Sequence, residues 1–329
     1  QLFYPPDPTE RDAFIGGNVA TNASGARSFK YGATRQHVLA LRVVLSNGET
    51  LAVRRGQACA SQGRLRYTTE QGRRLDVLLP RYEMPSTKHV AGYFAKPDMD
   101  AVDLFIGSEG SLGVVTYIEL RLLPEPQAVL GFYAFFPTEE AGWTFAITAR
   151  RHARQSAGPL RACAIEYLDH GSLDLLRPSH PSIPGEARAA IYVEQESADE
   201  AITGHMDGWR SEVAAAAGLE ALWLACTPEE HEGFKTFRRA LPVAVNEQRR
   251  QAGQPKVGTD MAVPDARLID LLNAYRATLD RLNQPSCVFG HIGDNHLHAN
   301  LMPRSEAELT RARQAYADLV DEAIELGGT

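Results

Sequence analysis

The amino-acid sequence predicts an α+β protein in two parts, and three observations carry that prediction. Residues 1–125 combine Gly-rich loops with one strongly marked β-hairpin. Pro124-Glu125-Pro126 then interrupts any regular element, because proline lacks an amide donor and restricts the residue before it. Beyond that break, apolar runs and helical periodicity alternate in the order β-α-β-β-α-β, the ferredoxin-like unit. The boundary is therefore placed between 1–125 and 126–329.

Taken in order, residues 1–36 are rich in Gly, Asn, Ser, Thr and Pro and read mostly as loop. Val38–Leu45 and Thr50–Val53 flank Asn47-Gly48, the dipeptide of a type I′ hairpin turn. The range 54–100 reads as loop, and its basic stretch (Arg54, Arg55, Arg64, Arg66, Arg73, Arg74) as a solvated segment in preference to an anion site. Val102–Ile106 packs before a Gly-rich turn, and Gly113–Leu123 is a strand. In the second part, strands are predicted at Val129–Phe136, Ala162–Leu168, Ala189–Glu194 and Leu222–Cys226. A helix starts at Thr138, with Glu139 and Glu140 behind it, and ends near Gly158-Pro159. Another follows the capping box Ser197–Glu200 and buries Ile202, Met206, Trp209 and Val213. Two helices, around 228–252 and through Leu268, Leu271, Leu272, Tyr275 and Leu279, precede a hairpin. The last helix runs from the capping box Ser305-Glu-Ala-Glu308 to Gly327-Gly328.

A chain of 329 residues is long enough for two cores. Its net charge of −7 gives a nucleic-acid backbone no electrostatic footing. Four cysteines lack any Cys-x-x-Cys spacing; Cys163, Cys226 and Cys287 sit in apolar runs and read as small buried hydrophobes, which implies a reducing compartment. No signal pattern occurs, and no apolar run reaches the roughly 18 residues of a membrane span. The expected location is cytoplasmic, with peripheral membrane attachment admitted. The opening at Gln1 without an initiator Met and the end at Thr329 just past a helix are read as cuts from a longer gene product.

Gly290 through Asn300 gathers three of the ten histidines with an Asp and two Asn between apolar runs. With Asp294-Asn295 as a two-residue turn, His291 faces His298 with Cβ atoms roughly 5 Å apart. That is close enough for both imidazoles to bind one cation at about 2.0–2.1 Å. His296 and Asn300 share the face by the strand period. Strand histidines are also common as satisfied structural residues, and two ligands fall short of the usual three. Gly16-Gly17-Asn18-Val19-Ala20-Thr21-Asn22-Ala23-Ser24-Gly25 is a loop that lets backbone approach a phosphate or a polar ring, or equally a tight structural turn. It matches neither the Rossmann nor the P-loop signature. Gly107-Ser108-Glu109-Gly110-Ser111-Leu112-Gly113 is a second such loop.

Together with Lys30-Tyr31-Gly32 and the histidine hairpin, these segments resemble the FAD-linked oxidases of the vanillyl-alcohol-oxidase (PCMH-type) superfamily. The closest likeness is the D-lactate, glycolate and D-2-hydroxyglutarate dehydrogenase branch. The resemblance covers nearly the whole chain in the family's order. It implies the second part of a PCMH-type FAD-binding domain, followed by a ferredoxin-like substrate-capping domain with extra helices and a β-hairpin. It implies that Gly16, Gly17, Asn18, Thr21, Asn22, Gly25 and Tyr31 line FAD, with Gly107, Glu109, Gly110 and Gly113 in a second flavin loop. His291 and His298 match ligands of a divalent metal (Zn, Mn or Fe), and Asn300 matches an active-site Asn. Arg238 resembles an arginine that grips the substrate carboxylate, which a guanidinium fork fits bidentately; the competing reading makes Arg238 or Arg239 a solvated helix residue. Lys256 resembles a second substrate-side cation.

The family motif Gly-Asp-Gly-Asn-Leu-His reads Gly-Asp-Asn-His-Leu-His here, so His296 replaces an Asn. Family members carry a further FAD subdomain ahead of the first residue here and a Glu-His-Gly segment after the last. That Glu is the expected third ligand and that His the expected base, so the 329 residues alone are expected to bind FAD poorly, to bind metal weakly and not to turn over. The implied activity is oxidation of a small D-2-hydroxy acid by hydride transfer to FAD. The implied partners are the substrate and an electron acceptor (a quinone, flavoprotein or cytochrome), with a homodimer as the assembly. A metal-dependent hydrolase and a non-catalytic flavin-fold subunit are the competing readings.

Overall fold

The proline break divides the molecule where regular structure cannot cross it. In the computed structural model, which describes residues 1–8, 12–90, 92–155, 158–198, 201–217 and 222–329, the chain forms two compact units, Gln1–Glu125 and Pro126–Thr329.

The first unit contains β1 (Leu2–Phe3), α1 (Ile15–Ala20), α2 (Ser28–Tyr31), β2 (Val38–Val44), β3 (Thr50–Arg54), β4 (Arg64–Thr68), β5 (Arg74–Leu78), α3 (Ala101–Phe105), β6 (Val114–Leu120) and β7 (Leu123–Pro124). Strands pair antiparallel in the order β3-β2-β6. The hairpin forms, but not on the expected type I′ turn: only Gly48 takes a positive φ (83°), and a three-residue loop, Ser46 to Gly48, is closed by the Gly48 amide on the Leu45 carbonyl at 2.9 Å. This register sets Leu41 opposite Val53 and Val43 opposite Leu51. All four are buried with Val102, Phe105 and Ile106, as the two-residue strand period requires. The short helix α3 is held by Asp100, whose carboxylate accepts the Val102 amide at 3.0 Å.

Two further expectations for this unit need correction. The Gly16–Gly25 segment, read as a loop, begins in the helix α1, and 54–100 is not all loop, since β4 and β5 form a hairpin. Its signal was the alternation in Arg-Leu-Arg-Tyr-Thr before Gln71-Gly72. Arg64 and Arg66 straddle Asp76 at 2.7 and 3.3 Å, so part of the basic stretch is neutralised locally.

The second unit contains β8 (Ala128–Phe136), α4 (Glu139–Arg154), β9 (Ala162–Leu168), α5 (His170–Leu176), β10 (Ala189–Ser197), α6 (Ile202–Ala217), β11 (Leu222–Ala225), α7 (Pro228–Ala252), β12 (Val257–Gly258), β13 (Met261–Ala262), α8 (Leu268–Leu282), β14 (Ser286–His291), β15 (His296–Leu301) and α9 (Glu306–Glu325). The sheet runs β11-β8-β10-β9-β14-β15-β12, with β13 also on β15. Its first four strands have the ferredoxin-like order, and the histidine hairpin extends the sheet from β9.

Each face of this sheet has its own helices. On one, α4 and α6 bring Phe145 and Trp209 against Phe132, with ring centroids 6.3 and 5.6 Å away. On the other, α7 lays Phe237, Leu241 and Val245 over Tyr133, Phe135 and Tyr192. The helix α7 starts at a complete capping box, Thr227 with Glu230.

The sequence did not suggest α5, which follows β9 at once and is capped by Asp169 on the Ser172 amide at 2.7 Å. The helix α4 stops at Arg154, before Gly158. The capping box at 197–200 lies partly outside the described residues. Ser305 caps α9 as expected, but Glu308 reaches the Arg304 amide at 2.7 Å, one residue earlier than a capping box requires. Cys163 and Cys287 are buried, whereas Cys226 is exposed, because β11 ends at Ala225 and leaves Cys226 in the turn to α7. Among the described residues no helix is long and apolar enough to cross a membrane.

Packing at the start of α5 is tight: a Cβ on Gly171 would lie 2.3 Å from the Ser286 carbonyl oxygen. Gly171→Ala is therefore expected to cost about 1–3 kcal/mol in urea unfolding. Gly233→Ala in α7, where a Cβ meets nothing within 4 Å, should gain up to about 1 kcal/mol from helix propensity.

Candidate active site

The histidine hairpin is built by its turn. Ile292–Asp294 forms a 3-10 turn closed by Asn295 in the left-handed region (φ 54°), with the Asn295 amide donating to the Ile292 carbonyl at 3.1 Å. The Asn295 side chain is clamped: its oxygen accepts from Arg150, and its nitrogen donates to Asp265 at 2.7 Å. The turn thus takes four residues, Ile292 to Asn295, where two were expected. His291 consequently pairs with His296, and Phe289 with His298. A slip of two residues preserves the face on which each side chain points, whereas a slip of one would reverse it.

His291, His296 and His298 therefore still share one face. Their candidate ligand atoms all lie within 4.8 Å of one another. His296, whose role the sequence left open, stands with the other two.

Two carboxylates complete the cluster. Glu166 is 5% exposed and lies one pair beyond Gly290–Tyr167 in the β14–β9 register, opposite His291. Its Oε1 is 2.7 Å from His291 Nδ1. Asp260, just before β13, sits 2.5 Å from His296 Nε2 and 3.1 Å from His298 Nδ1. Hydrogen bonds from His296 and then His298 hold its carboxyl well below the usual carboxylate range. Neither residue was singled out from the sequence. The signal for Glu166 was a lone charge inside the apolar strand Ala162–Leu168, while Asp260 carried none.

The remaining expected residues converge on the same sheet. Lys256 donates to Asn300 Oδ1 at 2.7 Å. Asn300 is 2% exposed, and the residue opposite it is Gly258. Arg238 sits on α7 one residue after Phe237, and its charge opposes the upward push of burial on the phenols of both Tyr133 and Tyr192. Tyr192 pairs across β10–β9 with Glu166, so Arg238 is set beside the row that leads to the histidines. Arg239 instead pairs with Glu232 at 3.3 Å.

In the first unit the two Gly-rich segments are bonded together, the first through the end of the helix α1. The Gly107 amide donates to the Val19 carbonyl and the Glu109 amide to the Ala20 carbonyl, each at 2.9 Å. Asn22 adopts a positive φ of 48° and accepts the Arg35 amide at 3.0 Å. Arg35 in turn donates to the carbonyls of Asp103 and Ile106. The sequence gave no warning of this arginine brace. Thr21 Oγ1 bonds the Gly17 carbonyl at 3.0 Å, Asn18 is buried, and Tyr31 stacks edge-on with Phe3.

The glycines divide into two kinds. A Cβ on Gly16, Gly17 or Gly110 meets nothing within 4 Å, the open approach a ligand needs. Gly25 and Gly113 have packing reasons instead: a Cβ would lie 1.9 Å from the Asp7 carbonyl oxygen in the first case and 2.6 Å from Val43 in the second.

Residues 125–329 match the family model described as "FAD linked oxidases, C-terminal domain". The chain belongs to this family. Residues 1–54 of this FAD-linked oxidase also match a model described as "FAD binding domain". It is 30% identical to glycolate oxidase subunit GlcD of Bacillus subtilis, an alignment that covers 100% of this chain and 61% of that protein. It is 28% identical to the mitochondrial D-lactate dehydrogenase [cytochrome] of Arabidopsis thaliana, over 100% of this chain and 50% of that one. The FAD-linked oxidase chain thus spans about half to three fifths of these relatives. Its fold is similar to a solved structure of alkyldihydroxyacetonephosphate synthase, with a TM-score of 0.61 and 17% identity over 100% of this chain and 56% of that one.

Substitutions at the glycines separate packing from ligand approach. Gly25→Ala is expected to destabilise the first unit by about 1–3 kcal/mol in thermal or urea unfolding. Gly16→Ala should leave stability level or slightly raised, with its cost confined to flavin content measured by absorbance.

Proposed function

We propose that the protein oxidises a small D-2-hydroxy acid, of the D-lactate, glycolate or D-2-hydroxyglutarate type, to the 2-oxo acid with FAD as hydride acceptor. The observation that carries this reading is the gathering of His291, His296, His298, Asn300, Lys256 and Arg238 around one sheet of an FAD-linked oxidase. Membership of that family favours a redox reaction over hydrolysis.

The residues fit both groups the reaction calls for. Open approach at Gly16 and Gly17, in the helix α1, and at Gly110, on segments tied together through Gly107 and Glu109, suits a flavin, with Asn18, Thr21, Asn22, Gly25, Tyr31 and Gly113 shaping those segments. Bound there, FAD would supply the two-electron redox chemistry. Three imidazoles within 4.8 Å of one another are a donor set for Zn, Mn or Fe in the divalent state. Bound there, the ion would polarise the substrate hydroxyl as a Lewis acid.

The chain's own side chains do the positioning. Arg238 takes the substrate carboxylate in a two-point grip, which orients the α-carbon and its hydroxyl. Glu166 fixes the ring of His291 through Nδ1 and leaves Nε2 as its donor atom. Asp260 steadies His296 and His298 together. Lys256 holds the Asn300 oxygen, so the amide group of Asn300 is presented in one orientation. Reoxidation of the flavin calls for an electron acceptor of the quinone, flavoprotein or cytochrome class, and a homodimer is the assembly we propose.

Purified as the full-length gene product, the protein should be yellow and should reduce an artificial acceptor with at least one of D-lactate, glycolate and D-2-hydroxyglutarate. A colourless protein that hydrolyses esters or amides overturns the reading. Arg238→Ala is expected to lower kcat/KM by about 100-fold, matching the loss of roughly 3 kcal/mol from a charged bidentate contact, and Arg238→Lys should restore only part of it. Glu166→Gln should weaken metal retention about 10–100-fold in a chelator titration while the fold stays intact. Activity that survives complete chelation removes the metal from the reaction.

A further inference from the structure

A polar cavity of about 570 Å³ lies on the sheet face opposite the histidines. Tyr167 and Val288 form its floor, and both alternate in register with residues of the histidine face, Glu166 and Phe289. Its walls come from α4, from the residues that begin α5, and from α8 with the segment that follows.

Three metal-ligating side chains meet in this cavity. Candidate ligand atoms of Glu139, Asp169 and His170 all lie within 4.8 Å of one another. His170 Nδ1 is 2.7 Å from Glu139 Oε1, while the other oxygen of Glu139 is engaged by Arg276 at 3.3 Å. Arg276 is itself held 4.4 Å over the ring of Trp143. Asp169 uses one carboxylate oxygen to cap α5.

An independent observation points the same way. Gln284 lines this cavity and is 7% exposed, yet neither atom of its amide has a hydrogen-bond partner among the described residues. Leaving such a buried amide unpaired costs about 1–3 kcal/mol, so a polar occupant is called for. The residues 169–171 run alongside its segment: the Asp169 amide donates to the Val288 carbonyl at 3.0 Å, and Gly171 is packed on the Ser286 carbonyl.

The geometry points to a second divalent-cation site here, with the carboxylates of Glu139 and Asp169 and the imidazole of His170 as ligands and Gln284 bonding the ion's water. Two carboxylates supply the negative charge, with Arg276 shared between Glu139 and Glu140 outside the ligand set, and a mixed nitrogen and oxygen set without thiolate suits Mn²⁺ or Zn²⁺. Arg276 engages Oε2 of Glu139, so coordination uses Oε1, and the ion replaces the hydrogen bond that Oε1 now shares with His170 Nδ1. This site shares no ligand with the histidine cluster and does not rest on the proposed activity.

Mn²⁺ is the probe, titrated into purified protein and followed by calorimetry and by the electron paramagnetic resonance signal of the free ion. In a His296→Ala/His298→Ala background, which disables the first cluster, one Mn²⁺ per chain should still bind. Adding His170→Ala with Asp169→Asn should weaken that binding at least 100-fold, and Asn retains the helix cap, so the unfolding midpoint should hold. Bound Mn²⁺ should also quench the fluorescence of Trp143 in the background protein, and Trp143→Phe should abolish that quenching. No uptake in the background protein, or uptake indifferent to the second pair of substitutions, overturns the proposal and leaves the cavity to water alone.

Discussion

Antiparallel register across β10, β9, β14 and β15 is the constraint on which the candidate site depends. Cross-strand pairing sets Tyr192 beside Glu166, Glu166 beside His291, and His291 beside His296. Neighbouring strands stand about 4.8 Å apart, so a row of side chains at that spacing is what places a carboxylate against an imidazole and one imidazole against the next. The ferredoxin-like half of the sheet contributes the acid, and the hairpin contributes the nitrogen donors.

Helix placement on that sheet decides which groups stay polar. The aromatic layer of Tyr133, Phe135 and Phe237 under α7 excludes water around Tyr192, and burial drives its phenol well above the ordinary range. Arg238 follows Phe237 on that helix, so the residue that anchors α7 in the core also determines where the guanidinium begins. Stability and site geometry are coupled through this single turn of helix.

Much of the fold was legible in the sequence because local chemistry and long-range packing agree there. The Thr138 and Ser305 caps and the apolar stripe of α8 each name their own structure, and Asn47-Gly48 marks the hairpin though not its turn type. The histidine face was legible for the same reason, since strand parity survives an error of two in register. What was missed lacked a local cause. Asp260 reaches His296 and His298 only because β13 returns alongside β15, and Arg35 braces Asp103 and Ile106 across nearly seventy residues of chain. The short helix α5 was hidden because its N-cap, Asp169, directly follows an apolar strand with no intervening turn signal.

The four-residue turn at Ile292–Asn295 carries a further consequence for how this site tolerates change in length. Because facing alternates strictly along a strand, the hairpin can lose or gain residues in pairs and still present its imidazoles to the same side. An odd change would turn all the residues after it to the other face of the sheet and bury His296 and His298 where Leu297 and Ala299 now lie. Asn295, pinned between Arg150 and Asp265, fixes the turn at an even length, so the clamp acts as a counting device for the site.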